Sequence, residues 1–208
     1  MLKEMKQQLV QDTIVNESRR QFIEKGIKNT TLRSIAKELG IAFGNIYYYF
    51  KYKIDICDVL WIEYTNGFLD HFEKTYNSPK AITKSGLEKL RYYYSDLLDY
   101  FQKNHLYVEL IAFSMGEKPK GIRSSKEMKE KSRTTRKRLQ STLVKIYEEG
   151  INDGSIKADI PNVFYEAWSF NISYVAIIIN LIRYHEIGEE VYDYYVDTYL
   201  NRLTKIGG

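Results

Sequence analysis

Between Thr30 and Lys53, hydroxyl, amide and cationic side chains recur at a spacing suited to holding a polyanion. Thr30, Thr31 and Arg33 stand at the start of an apolar-periodic stretch, where free backbone amides, two hydroxyls and the positive end of a helix dipole suit a phosphate. Ala42, Phe43, Gly44 and Asn45 open a second such stretch. An asparagine amide in a first helical turn can pair bidentately with an adenine edge, and an aromatic ring can touch a thymine methyl. Gly44 is a poor helix former, at about 1 kcal/mol against Ala, and close approach to a groove is a sufficient reason for it. Tyr47, Tyr48, Lys51 and Lys53 then offer hydroxyl and ammonium donors to a nucleic-acid backbone, contacts that set register without reading sequence. Within the run Tyr47-Tyr48-Tyr49 one ring must pack inward, and Tyr49 is the expected one.

Bond-making chemistry lacks its parts. The chain holds no phosphate-binding glycine loop, no HExxH, no GxSxG and no dinucleotide fingerprint. Its single cysteine, Cys57, sits beside Asp55 and Asp58, which oppose the thiolate a nucleophile needs, and one cysteine excludes an intramolecular disulfide or a multi-cysteine metal site. His71, His105 and His185 are far apart without a second ligand at metal spacing, so neither metal nor cofactor is expected. Met1 to Glu17 has no continuous apolar run. Ile172 to Ile182, interrupted by Ser173 and Asn180, is shorter than the ~20 residues of a membrane span. A cytoplasmic protein without membrane contact is the expectation.

The net charge of +4 hides a segregation. Residues 1–53 hold 10 Lys/Arg against 5 Asp/Glu, and 54–116 hold 6 against 9; 117–138 hold 10 against 3, and 139–208 hold 5 against 10. The first basic block coincides with the residues above and is the expected phosphate footprint. The second, with Glu127 and Glu130 interleaved, reads as the solvated face of a long helix.

Apolar residues recur at three- and four-residue steps, and no Asn-Gly or Asp-Gly turn separates alternating runs, so the elements that position these groups are expected to be helices. Ile14, Ser18, Gln21 and Phe22 share one face of a first helix that Gly26 can end. Thr31 caps a second, Leu32 to Leu39; Gly40 ends it and leads through Ile41 into a third at about Ala42 to Phe50. Two short helices on a tight turn make a helix-turn-helix, locked by Ile35, Ala36, Ile41, Ile46 and Phe50. Longer helices follow at about 54–76, 82–103, 105–115, 121–153, 162–183 and 187–206.

The order and spacing of Phe22, Gly26, Thr30-Thr31, Ile35-Ala36, Gly40, Gly44, Ile46-Tyr47-Tyr48, Phe50 and Lys53 resemble the amino-terminal DNA-binding domain of the TetR (tetracycline-repressor-like) regulators, over about residues 10 to 56. The resemblance implies an all-α chain: a three-helix DNA-binding domain with a helix-turn-helix at 1–52, then a larger helical effector-binding and dimerisation domain at 53–208. It carries Tyr47, Tyr48 and Lys53 over as phosphate-side residues. Four positions depart from the family pattern: Ser18 for Ala, Gln21 for a frequent Leu, Ser34 for the acidic partner of a capping box, and Ile54 for Glu. These put local stability in question and remove no DNA-facing group.

By the same resemblance the protein is a homodimer through its last two helices. There Trp168, Ile172, Val175, Ile179 and Ile182, and then Val191, Tyr195, Thr198 and Arg202, form faces to bury. A small apolar or aromatic effector would sit among Trp61, Tyr64, Phe68, Phe101, Phe113, Tyr147, Trp168 and Asn171, each of which would serve equally as core. The 19 tyrosines suggest that such a pocket would carry hydroxyl tips. The implied function is a transcriptional regulator, most simply a repressor that leaves a palindromic double-stranded operator when the effector binds. A DNA-bound protein-interaction factor of the same fold, without an effector, stays open as the alternative.

Overall fold

A computed structural model describes residues 2–117, 124–184 and 189–204. Every regular element among them is helical: α1 (Leu2–Asn29), α2 (Leu32–Glu38), α3 (Phe43–Tyr49), α4 (Lys53–Tyr76), α5 (Pro79–Ile82), α6 (Gly86–Lys103), α7 (His105–Ala112), a π-helical turn at Phe113–Glu117, α8 (Lys126–Asp153), α9 (Val163–Tyr184) and α10 (Glu189–Leu203). None of the described helices is long and apolar enough to cross a membrane. The chain divides into two compact units, Met1–Tyr64 with Leu106–Thr134, and Thr65–His105 with Thr135–Gly208.

In the first unit α1 breaks at Gly26, whose φ of +80° an L side chain rarely adopts. Leu32, Ile35 and Ala36 of α2 and Ile46 of α3 share a core with Ile14, Val15 and Phe22 of α1, joined by Phe50, Ile54, Ile56, Cys57, Leu60, Leu106, Leu110 and Phe113. Fully buried side chains such as Ile14, Ile35 and Ile46 contribute about 1.5–3 kcal/mol each. That is ample to hold α2 and α3, which at seven residues each are too short to persist alone.

Two departures from the family pattern compensate for each other. The Ser34 hydroxyl donates to Gln21 Oε1 at 2.8 Å and accepts the Thr31 amide at 3.1 Å, while the Thr31 hydroxyl accepts the Ser34 amide at 3.0 Å. Serine therefore completes the capping box, a role usually taken by Glu or Gln, and ties α2 to α1. Ser18, fully buried, donates to the Ile14 carbonyl at 2.7 Å, and Ile54 joins the core. The expected local weakness is thus corrected, because each replacement finds a partner or a burial site. The turn into α4 is held by the buried Asp55 carboxylate, which accepts the Tyr52 amide at 3.2 Å and the Ser125 amide at 2.7 Å.

In the second unit Gly86 of α6 meets Gly150 of α8 so closely that a Cβ on Gly86 would lie 2.2 Å from the Gly150 nitrogen. Sequence periodicity places the start of this helix at Ile82. The structure instead makes Pro79–Ile82 a separate turn and begins α6 at Gly86, behind a capping box between Ser85 and Glu88. That Ser-x-x-Glu spacing is a legible start signal. The interior is aromatic: Tyr93, Tyr94, Tyr147 and Tyr174 are fully buried with Phe68, Phe72 and Phe101.

Along the described part of the second basic block, Met128, Ser132 and Thr135 turn inward while Lys126, Lys129, Lys131, Arg133, Arg136 and Lys137 stay exposed, the solvated face expected. The expected helix ends at 121, 187 and 206 lie outside the described residues.

Candidate nucleic-acid interface

The turn between α2 and α3 is closed by backbone bonds, Gly40 amide to Lys37 carbonyl at 3.2 Å and Ile41 amide to Ala36 carbonyl at 3.1 Å. With Ile46 buried against α2, the opposite side of α3 is left to solvent. Ala42, Gly44, Asn45, Tyr47 and Tyr48 are exposed there, Tyr48 by 70%, while Tyr49 is the inward ring of the three. Gly44 and Tyr48 are four residues apart and so share one helix face. A Cβ built on Gly44 would meet nothing within 4 Å, and its φ is not in the left-handed region. Nothing among the described residues requires glycine at this position.

Arg33 and Phe43 connect the two helices on this side. The Arg33 guanidinium lies 5.2 Å from the centroid of the half-buried Phe43 ring, and Phe43 meets Tyr47 edge-on at 4.8 Å. Thr31 and Lys51 are exposed. Thr30 is not: it is fully buried, and its hydroxyl donates to the Gly26 carbonyl at 3.0 Å. Its place is in closing the end of α1.

Lys53 has the most specific surroundings of the set. Its ammonium donates to the carbonyls of Ile27 at 2.5 Å, Thr30 at 2.7 Å and Lys28 at 3.3 Å, and lies 5.9 Å from the Phe113 ring centroid. Carbonyls at a helix end lack intrahelical donors and carry the negative end of the dipole, so a cation satisfies both needs. Burial lowers the pKa of this ammonium from the ordinary lysine value. The contacts pin the start of α4 to the end of α1, beside the phosphate-side role that resemblance implies.

Two residues near the face escape sequence reasoning. Tyr52, half exposed between Lys51 and Lys53, is flanked by lysines that could have flagged it. Gln7 donates its side-chain amide to the Tyr48 hydroxyl at 3.0 Å, and no sequence signal marks a contact across 41 positions.

Residues 14–58, spanning the end of this helical assembly from α1 into α4, match the family described as bacterial regulatory proteins, tetR family. This segment is of the TetR family. Over 72 residues it is 36% identical to an HTH-type transcriptional regulator of Staphylococcus aureus strain bovine RF122 / ET3-1, and 35% identical to one of strain USA300. Each alignment takes in 33% of this chain and 39% of the relative, so the chain spans less than half the length of these curated relatives. Solved structures share the whole fold at low identity. The fatty acid degradation regulator FadR from Bacillus halodurans superposes with a TM-score of 0.67 at 18% identity, over 91% of this chain and 97% of that one. FadR from Bacillus subtilis, in complex with stearoyl-CoA, gives 0.66 at 21%, over 94% and 98%.

Outside its TetR-family helix-turn-helix, the eight effector candidates are dispersed. In the first unit Trp61 is half-buried, Tyr64 stacks on Tyr107 at 5.5 Å, and Phe113 is buried near Lys53. In the second, Phe68 packs on Phe72, Tyr93 and Tyr100, Phe101 is buried, and Trp168 is half-buried. Tyr147 bonds Tyr199 at 2.6 Å, and buried Asn171 has a side-chain oxygen without a hydrogen-bond partner among the described residues. None of the eight lines the hollow of about 310 Å³ between α9 and α10, which is bounded by Ser169, Phe170, Ser173, Tyr195, Thr198, Tyr199 and Arg202.

Among the described residues no group of three or more His, Cys, Asp or Glu could hold a metal, and His185 lies outside them. Cys57 is buried; that burial, with Asp58 and Asp55 nearby, pushes its thiol up to about 12.

Proposed function

We propose that this chain is a DNA-binding transcriptional regulator, working as a cytoplasmic homodimeric repressor released from a palindromic operator by a small apolar or aromatic effector. The observation that carries the DNA reading is Gly44: an exposed glycine in the first turn of α3, unexplained by torsion or packing, beside Asn45, Tyr47 and Tyr48. The first turn of a recognition helix is where a major groove comes closest. Thr31, Arg33, Ala42, Phe43, Tyr47, Tyr48 and Lys51 surround it as groove and phosphate contacts, while Thr30 and Lys53 hold the helices that present them.

The dimer reading is supported by faces left uncovered in one protomer. On α9 Ile172 is 45% exposed and Trp168, Val175 and Ile182 are half-buried; on α10 Val191, Thr198 and Arg202 are exposed. Two such protomers would set their recognition helices in successive major grooves about 34–36 Å apart. The effector reading is supported by the tyrosine-rich interior of the second unit, where Tyr199 donates to Glu166 at 3.0 Å and Arg202 to Glu166 at 2.5 Å. The stearoyl-CoA complex belongs to FadR of Bacillus subtilis; here it supports only the class of an apolar or amphipathic effector. The division at 52/53 is part of this proposal: residues 1–52 read DNA and 53–208 sense and dimerise. An effector would have to bind the DNA-competent and released states unequally.

Selection of bound sequences from a random duplex library tests the reading directly, followed by release assays with a small-molecule panel. A symmetric site is the expected product. No preferred sequence would refute it.

A further inference from the structure

We infer that the first two turns of α1 form a second, phosphate-binding part of the DNA interface, with Lys3 and Lys6 as its cations. The inference rests on the DNA-binding reading of α3. Gly44 and Tyr48 share the exposed face of α3, and Gln7 bonds to the Tyr48 hydroxyl at 3.0 Å, so the beginning of α1 lies against the edge of that face. Lys3 stands four residues before Gln7 and therefore on the same side of α1. Lys3, Lys6, Gln7 and Val10 border one open hollow of about 390 Å³ with Leu2 and Tyr49.

The charges there are available. Lys3 and Lys6 are exposed, and among the described residues neither is held in an ion pair. The bond from Gln7 has a consequence for Tyr48: a phenol that accepts one hydrogen bond keeps its own proton to donate. Gln7 therefore orients that proton for an outside acceptor. A line of groups runs from Gly44 through Tyr48 and Gln7 to Lys3, passing from a surface that admits a groove to one where Lys3 and Lys6 outnumber the single exposed carboxylate of those turns, Glu4. Such cations suit the sugar-phosphate backbone flanking the groove, where contacts add affinity without reading sequence.

The test uses the full chain, the selected duplex and a salt series. Each phosphate neutralised adds roughly 0.9 to the log–log salt slope, so Lys3→Ala/Lys6→Ala is expected to lower it by about 1.8 per protomer. Sequence preference should be unchanged, and Lys3→Arg/Lys6→Arg should restore the slope. Because both side chains are exposed, thermal unfolding is expected to match the parent and so excludes misfolding as the cause. If the parent selects a sequence and the double alanine variant keeps the full slope, this inference is overturned while the DNA reading stands. If the parent selects no sequence at all, both fall together.

Discussion

Replacing Gly44 by alanine separates what the fold needs from what its surface is for. The added Cβ has nothing within 4 Å and the backbone is not left-handed, so the folded protein accepts it without strain. Alanine also loses less conformational entropy than glycine, a gain of about 0.5–1 kcal/mol in a helix. For a chain of this size that raises the unfolding midpoint by about 2–4 °C per kcal/mol. The same methyl group would stand in the first turn of α3 where a major groove is to approach. Tenfold in affinity corresponds to about 1.4 kcal/mol, a modest cost for one misfit in a packed contact. A symmetric dimer pays it at both half-sites, so Gly44→Ala should weaken operator binding by about a hundredfold. Binding to random DNA should hold, because phosphate contacts are untouched. Fluorescence anisotropy on operator and random duplexes, beside a thermal melt, reads all three quantities. A variant that is more stable and binds operator as tightly as the parent would show that glycine is not kept at this position for the groove.

Four further outcomes follow from named contacts. Lys53→Met strips a donor from the carbonyls of Ile27, Lys28 and Thr30 and should cost about 1–3 kcal/mol in denaturant melts; its salt slope should stay at the parent value, and a slope lowered by about one with stability intact would return Lys53 to a direct phosphate contact. Gly86→Ala forces a Cβ to 2.2 Å from the Gly150 nitrogen and should destabilise by about 3 kcal/mol or more, seen as a drop on the order of 5–10 °C; an unchanged midpoint would contradict the close approach of α6 and α8. With its thiol raised from 9.0 to about 12, Cys57 has about a thousandfold less thiolate at pH 8 than an ordinary cysteine, so alkylation should wait for denaturant; rapid labelling of native protein would disprove that burial. Ile172→Glu should yield monomers by sedimentation at micromolar concentration where the parent is dimeric, and a dimer that survives the change would move the interface elsewhere.

The sequence by itself determined the helical class, the position of the helix-turn-helix, the cap at Thr31, the inward turn of Tyr49 and the oddity of Gly44. All of these depend on neighbours within about one helical turn, and a 3.6-residue period repeats its information every few positions. Tertiary structure alone decided where the longer-range polar groups went. Gln21 and Ser34 find each other across 13 positions, Lys53 reaches the Ile27 carbonyl across 26, and Gln7 meets Tyr48 across 41. Gly86 and Gly150 fall unmarked inside the helices expected at 82–103 and 121–153, and only packing brings their backbones together. A hydrogen bond or a close approach between helices depends on how the apolar faces stack, and stacking puts no fixed sequence distance between partners. For that reason Lys53 reads in sequence as a cation free for phosphate and stands in the structure as the clasp between α1 and α4.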